Sequence, residues 1–514
     1  MRPKAPQTKG YSEAGASTTR RVMKGFNALS GSPPEDIDRN NDTLRQRSRM
    51  LYMSSPVATA AINTNRTKIV GTGLTIKSTL DRELLHMSPA DAKQWQRRTE
   101  AEFRLWCRRE NCDALGLNSF LSLQQLALKS WLMSGDVFVL LKRVSPTAAN
   151  PYSLRLHLVE ADRVSAPFEC RKGMVPADGT IPDGKPGAGN RIYDGVEVDE
   201  DGRVVAYHIC NGWPTEFSGS KLEWARVLAW GEKTGLPNVL HIMDPERPDQ
   251  YRGVPYLAPV IEPVLQLRRY TESELMAALV QSFFTAWIVT ESGQPEIPIN
   301  EVGPGDIADG RGLDDTRSES ENEYEMGPGQ VAHLKTGENI VFGNPNIPTA
   351  GFETFVKTLV RLIGSALELP YDVISKEFNS SYSASRGALL EAWEAFRMRR
   401  AWFVEDFCQP VYEAWLAEAV ALGRIKAPGF FDDPLLRAAW CGCRWIGPVQ
   451  GQLDPKKEVA ANILMVRNGF KTREQVTREM GGGDWEENAE LIRRENELLP
   501  MDGTDVTEDD DDVN

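Results

Sequence analysis

The residues able to do chemistry in this 514-residue chain are few, and their spacing withholds the usual machinery. A phosphate-cradling loop needs glycines that let the backbone wrap an anion, then a lysine and a hydroxyl residue at a helix start. The run Gly184-Lys185-Pro186-Gly187 puts a rigid proline inside such a loop and no Ser or Thr after the lysine, so it does not read as a nucleotide site. No H-E-x-x-H, G-x-S-x-G or paired C-x-x-C spacing occurs, and His86, His157, His208, His241 and His333 are scattered. Cys441-Gly442-Cys443 has a single intervening residue and no histidine within ten positions, which reads as buried free thiols. Gly481-Gly482-Gly483-Asp484, followed by Trp and acids, reads as a helix-start turn.

Two charge clusters remain. Ten acidic residues lie between Glu296 and Glu325 against only Arg311 and Arg317. Carboxylates are hard ligands for Mg²⁺ or Ca²⁺, but the D-x-D-x-D-G order of a calcium loop is missing, so the cluster reads as a solvated or partner-binding surface. Arg397-Met398-Arg399-Arg400 alternates with Glu391, Glu394 and Glu405, the pattern of an ion-paired helix face. By chemistry alone the chain is not an enzyme, and no metal or cofactor is expected.

The length is that of several domains, and 59 Lys and Arg against 73 Asp and Glu give a net charge of −14. Such a surface does not coat nucleic acid, which needs a cationic surplus; contact with DNA must be local or weak. The charge is polarised, because residues 1–110 hold 20 Lys and Arg against 11 Asp and Glu. Seven cysteines and no apolar core in Met1 to Gly25 point to a reducing cytoplasm. The most apolar stretch, Leu275 to Thr290, is only 16 residues long and is flanked by Glu274 and Glu291, so it reads as a buried helix rather than a membrane span.

Periodicity then supplies the elements. Helical spacing from Asp42 ends at Gly71-Thr72-Gly73, and Leu74-Thr75-Ile76 reads as a strand. Helices follow over Ala90 to Arg109 and Ser119 to Leu132, and Gly135-Asp136 introduces the strand Val137-Phe-Val-Leu-Leu. Residues 152–245 alternate short β runs with Gly, Pro and Asp turns, which predicts antiparallel pairing and an α+β fold. Next come a long helix ending near Val289, the acidic, turn-rich insert, and a helix over Phe352 to Leu367. A polar linker containing Asn379-Ser-Ser-Tyr-Ser leads to a long helix over about Ala384 to Leu422. A last helical region from 453 to 498 ends in the acidic tail Asp509-Asp-Asp-Asp512. A helical hairpin that fills no core of its own must bury its faces elsewhere, most simply on another copy.

Five collinear motifs carry a resemblance: Asn65-Arg-Thr-Lys-Ile-Val-Gly71-Thr-Gly73; Gly135-Asp136-Val-Phe; His241 with Gln250-Tyr251-Arg252-Gly253-Val254-Pro255; Asn379-Ser-Ser-Tyr382-Ser383-Ala-Ser-Arg386-Gly387-Ala-Leu-Leu-Glu391-Ala-Trp393; and Trp445 with Asp454-Pro455-Lys456-Lys457-Glu458. In that order they resemble the lambda-type portal proteins of tailed bacteriophages, from about Asp42 to about Leu498. The resemblance implies a portal fold that assembles as a ring. It divides the chain into a flexible basic arm (1–41), an α+β wing (42–254), a first stem helix (255–290), an acidic clip (291–349), a second stem helix (350–368), a tunnel linker (369–386), a long helix (387–422) and a crown with the acidic tail (423–514).

It further implies a dodecameric ring at one capsid vertex of the virion, assembled in the bacterial host cytoplasm. Double-stranded DNA enters non-specifically through the channel, driven by a separate terminase, and leaves at ejection; the other partners are capsid, scaffold and head–tail adaptor proteins. Lys376, Asn379, Ser380, Ser381 and Tyr382 fall where the family places its channel-facing loop. Asp314, Asp315, Glu319, Glu321 and Glu323 supply an acidic docking face for the large terminase subunit. A missing nucleotide loop suits a passive channel, and negative charge suits a bore along which DNA slides without being gripped. Arg386 and Trp393 are expected to be structural. The rival readings are a metal-dependent packaging nuclease using the acids of 296–325, and a head–tail connector without terminase contact.

Overall fold

The computed structural model describes residues 16–17, 20–26, 28, 30–167, 181, 185–214, 221–283, 287–290, 338–341, 351–378, 381–451, 454–481 and 483–498. The backbone divides into two units, one of Met1–Val264 with Val360–Asn514 and one of Leu265–Leu359.

The first unit opens with helices α1 (Arg39–Ser54) and α2 (Pro56–Ile69). Pro56 separates them, because proline forbids helical backbone at the residue before it yet suits the first helical position. Strand β1 (Thr75–Ser78) follows, then α3 (Pro89–Trp106), capped by the Ser88 hydroxyl, the single turn α4 (Arg109–Cys112), and α5 (Phe120–Ser134), capped by Ser119. Gly135, at φ +88°, ends α5 and turns the chain directly into β2 (Asp136–Arg143).

Strand β2 pairs antiparallel with β3 (Leu154–Glu160) on one side and β8 (Val239–Met243) on the other, in register Val137↔Glu160 and Asp136↔Met243. A meander of β4 (Arg191–Tyr193), β5 (Val196–Val198), β6 (Val204–Cys210) and β7 (Trp224–Leu228) forms a second antiparallel sheet. Phe138, Val159, Val164, Val196, Tyr207 and Val239 make the core shared by the two sheets, and a bridge between Val164 and Ile209 joins them. The antiparallel α+β expectation for this half is met.

A second core is aromatic and joins distant parts of the sequence. Phe103 of α3 packs with ring centroids 4.9 Å from Trp415, 5.5 Å from Tyr412 and 5.7 Å from Phe120. Edge-to-face pairs of this kind add about 0.5–1.5 kcal/mol beyond the area they bury. Tyr412 and Trp415 come from α10 (Gln409–Ala421), which follows α9 (Tyr382–Phe403), with α11 (Pro434–Trp440) and β11 (Cys443–Ile446) after it; β11 pairs with β1 in register Thr75↔Ile446. Trp440 packs with its ring tilted 5.0 Å from Trp95, and Arg424 bonds Glu102 at 2.8 Å. Residues 424–446 of the interval read as crown therefore fold into the same core as the N-terminal half. Helices α12 (Pro455–Arg467), α13 (Arg473–Gly481) and α14 (Trp485–Leu498) follow, and none of their residues is buried.

Helix α6 (Ile261–Phe283) leaves the first unit, followed by β9 (Trp287–Thr290); β10 (Glu338–Val341) and α7 (Phe352–Ala366) lead back. Within the second unit Tyr270 packs 5.6 Å from Phe352 and 4.8 Å from Phe355, and β9 pairs with β10 in register Thr290↔Glu338.

Three expectations are corrected here. Leu275 to Thr290 is not one buried helix: α6 ends at Phe283, and Leu275 and Met276 are 63% and 58% exposed. Trp287-Ile-Val-Thr290 is aromatic and β-branched, suited to a pleated pair rather than a helix, and β10 provides its partner across the insert. The first-stem interval 255–290 is accordingly helical only over Ile261–Phe283. The long helix, expected from about Ala384 to Leu422, starts at Tyr382, where the Ser381 hydroxyl caps it, and it does not run unbroken. A widened turn at Val404–Cys408 precedes α10, where Pro410 lacks an N–H and crowds the carbonyl four residues back. Among the described residues no helix is long and apolar enough to cross a membrane.

Candidate functional site

The segment between α7 and α9 is short, and its backbone explains how it is presented. After Pro370 a single helical turn, α8 (Tyr371–Ser375), buries Val373 and Ile374 and ends at Lys376 in the left-handed conformation, φ 58° and ψ 32°. That conformation turns the chain sharply, and Lys376 is left exposed, with no ion pair among the described residues. The Tyr371 hydroxyl donates to Glu377 at 2.9 Å and braces the turn. Ser381 is committed to the helix start, its hydroxyl accepting from the Ala384 amide at 3.4 Å. Tyr382 opens α9, while Asn379 and Ser380 lie outside the described residues, as does the Tyr382 side chain. Asp314, Asp315, Glu319, Glu321 and Glu323 also lie outside them.

A polar knot, buried at Arg399 and Asn65 and open at Glu368, holds the segment in place. Arg399 reaches from α9 to the Glu368 carboxylate, donates to the Asn65 side chain at 3.1 Å, and stacks its guanidinium 4.9 Å from the Tyr256 ring. The Tyr256 hydroxyl donates to the Leu367 carbonyl, and burial pushes that phenol up to about 12. Asn65 completes the knot by donating to the Ala61 carbonyl at 2.9 Å. Next to it, Arg400 donates to the carbonyls of Ile69 and Lys68 at 2.7 and 2.6 Å and so satisfies the open end of α2. The ion-paired face expected of Arg397-Met-Arg399-Arg400 is therefore corrected: Arg399 and Arg400 turn inward to another helix and to the linker, not to Glu391, Glu394 and Glu405. Trp393 is buried, and Arg386 is half-buried.

The motifs Gly135-Asp136 and Gln250 to Pro255 meet in a second buried cluster. Arg252 is fully buried and donates to Asp136 at 2.7 Å, to Asp194 at 2.7 Å, and to the carbonyls of Val164 and Ala161 at 2.8 Å each. Arg45 adds a bond to Asp194 at 3.2 Å, and His241 lies 3.4 Å from Asp136. The two guanidiniums hold the Asp136 carboxyl far below the usual carboxylate range despite its complete burial, and burial drives the His241 imidazole down. Gly135 and Gly253 approach so closely that a side chain on either would collide with the other's backbone, which fixes both as glycine. Every strong donor of Arg252 is spent inside the chain, so this side chain ties strands and turns together.

Burial pushes the Cys441 and Cys443 thiols up to about 12, which suits inert thiols rather than ligands or nucleophiles. Among the described residues no cluster of His, Cys, Asp and Glu is arranged to hold a metal ion. Sequence reasoning missed Glu368 and the inward role of Arg399. The signal available was the lone acid two residues before Pro370, opposite a basic helix.

Residues 19–400 match the family model described as phage portal protein, lambda family. The chain is 21% identical over 494 residues to portal protein B of Escherichia phage lambda, covering 94% of this chain and 89% of that protein. It is 22% identical over 482 residues to the portal protein of Escherichia phage N15, covering 92% and 87%. A solved chain from the neck of a native GTA particle, computed with C12 symmetry, is 13% identical with a TM-score of 0.40, covering 87% of this chain and 94% of that one.

Proposed function

This chain belongs to the lambda family of phage portal proteins, and we propose from that premise that copies of it close into a dodecameric ring at one capsid vertex of the virion. Double-stranded DNA passes through the ring's channel during packaging and again at ejection, and the ring is the attachment point for head–tail adaptor proteins. The observation that carries this reading is the collinear match to two phage portal proteins along 94% and 92% of the chain. The motor is a separate terminase that docks on the insert 291–349 through Asp314, Asp315, Glu319, Glu321 and Glu323; the chain itself is a passive channel rather than an enzyme. Assembly takes place in the bacterial host cytoplasm with capsid and scaffold proteins.

Lys376, Asn379, Ser380, Ser381 and Tyr382 face the DNA. The exposed Lys376 at the apex of a sharp turn, braced by α8 and by the Arg399 knot, supports that placement. A single cation per subunit offers weak, sequence-blind contact without the grip of a uniformly basic bore.

The test is negative-stain electron microscopy of the purified protein with mass determination in parallel. Rings with a central hole and a mass near a dozen subunits are expected. A monomer at every concentration that also cleaves plasmid DNA, with the cleavage abolished by EDTA, would overturn the reading in favour of a nuclease. Rings that fail to bind the large terminase subunit would leave a head–tail connector.

A further inference from the structure

A cleft of about 540 Å³ opens where α9, β11 with residues 447–450, and α13 with the turn at Gly483-Asp484 come together. Its walls carry Lys77, Arg397, Arg400, Arg444 and Arg478, with Trp393 and Trp445 between them. Three carboxylates also line it, and each already has a cation: Glu474 is paired with Arg444, Glu479 with Lys471, and Asp484 with Lys77 at 3.5 Å.

What is left over is positive. Arg397 and Arg478 are exposed to the cleft and make no hydrogen bond or ion pair with any described residue. Arg400 spends its donors on two carbonyls, which satisfy its hydrogen bonds without cancelling its charge. Burial and the repulsion of Arg397 bring the Arg400 guanidinium down to about 10, the sign of a cation lacking an anion nearby.

We propose that the acidic segment 502–512 of this chain docks in the cleft, with its carboxylates on Arg397 and Arg478. Residues 501–514 hold Asp502, Asp505, Glu508 and Asp509 to Asp512 and no Lys or Arg, so the complement in charge is on the same chain. The reach is sufficient. Helix α14 starts beside the cleft at Trp485 and its 14 residues span about 21 Å. The eleven residues from 499 to 509 span up to about 36 Å when extended, enough to return past the helix or to enter the cleft of an adjoining copy. Tethering raises the local concentration of the segment to the order of millimolar, so modest affinity suffices. A peptide carboxylate on a short side chain fits a small tryptophan-lined cleft. A nucleic acid, by contrast, is not tethered and must compete from bulk solution. Once seated, the segment ties α13 and α14 to α9. The tie weakens as salt screens it.

Zero-length crosslinking tests this on the full chain. Arg397→Lys and Arg478→Lys keep the charge and supply an amine, so a carbodiimide joins each substituted position to any carboxylate in contact with it. Mass spectrometry is expected to find an amide linking each position to the segment 502–512. The amide should fall about tenfold when Asp509→Asn, Asp510→Asn, Asp511→Asn and Asp512→Asn are combined. Amides from the segment spread over Lys93, Lys426 and Lys456, with none at positions 397 or 478 in variants that melt like the parent, would overturn the proposal. A short DNA duplex is the second probe. Duplex that displaces the segment, and whose binding is lost with Arg397→Glu, would assign the cleft to nucleic acid instead; crosslinks unchanged by duplex support the peptide.

Discussion

The buried cluster around Arg252 and the helices α12 to α14 use the same kinds of side chain to opposite ends. Arg252 has no exposed surface and bonds two carboxylates and three carbonyls that all belong to its own chain. In α14, Leu491 and Ile492 are 55% and 53% exposed, and its charges pair across solvent, as in the contacts of Lys93 and Arg97 with Glu490 at 2.9 and 3.0 Å. Exposed pairs of that sort contribute about 0–1 kcal/mol, whereas a charge stranded in a core costs several. One region is buried within the single chain; the other has no buried residue among those described.

The largest effect that follows is on the buried region. Arg252→Ala leaves Asp136 and Asp194 with Arg45 as their one remaining shared cation and should cost about 3–5 kcal/mol, measured as a shift in the urea unfolding midpoint. Lys93→Ala, which removes one partner of Glu490, should move that midpoint by less than about 0.5 kcal/mol. Comparable shifts for both variants would erase the distinction.

That distinction was only partly legible in the sequence. Alternation over 152–245 and the glycine at 135 were enough for antiparallel strands and for the helix-to-strand turn, because both depend on local backbone rules. Asn65, Asp136, Arg252 and Trp445 stood out only as parts of motifs. Their partners lie far along the chain, for instance 334 residues between Asn65 and Arg399, and no periodicity reports such a pairing. The same reason hid the pairing of β1 with β11 and the inward turn of Arg399 and Arg400. A basic stretch on a helix looks identical whether its partners are four residues away or on another element. The β9 strand was missed because an apolar run of that length fits a buried helix equally well. The clip acids, Asn379, Ser380 and the Tyr382 side chain lie outside the described residues.

A pH titration sharpens the comparison further. Burial and the nearby Asp194 raise the Asp38 carboxyl to about 7, and one of its oxygens has no partner. A carboxyl raised in the folded state binds its proton there while the unfolded chain has already released it. Its contribution is therefore complete below about pH 4 and is lost as the pH rises through 7. Asp136 acts in the opposite sense: its depressed carboxyl contributes above about pH 4 and loses that contribution only in strong acid. Asp38→Asn should remove the decline between pH 4 and 7 and raise the melting temperature at pH 8, leaving pH 4 nearly unchanged. A parent and variant with parallel profiles would show that Asp38 is solvated. No charge change in α12 to α14 should alter the slope in this range.

A smaller effect separates conformation from charge at Lys376. A side chain in the left-handed region costs about 1 kcal/mol relative to glycine, so Lys376→Gly should stabilise the chain slightly, by up to that amount in urea unfolding. Lys376→Glu keeps the backbone cost and changes only the sign of the charge. It should leave unfolding unaltered and change DNA packaging or ejection more than ring formation. Normal DNA retention in rings of the glutamate variant would remove Lys376 from the channel.

The smallest effect on the single chain is the most informative about α14. Leu491→Glu combined with Ile492→Glu adds two charges to a face of α14 that is already open to solvent, so nothing is taken out of a core and no cavity is left. Unfolding of the isolated chain should shift by less than about 0.5 kcal/mol. If another copy covers that face in the ring, each substitution buries a carboxylate against apolar surface, a cost of several kcal/mol repeated at every interface. Sedimentation should then show the variant as a well-folded monomer at concentrations where the parent forms rings. Rings that form normally would mean that α14 faces solvent in the assembly as it does in the single chain, and would leave the exposed faces of α6 and α7, with Leu275, Met276 and Leu362, as the surfaces that close it.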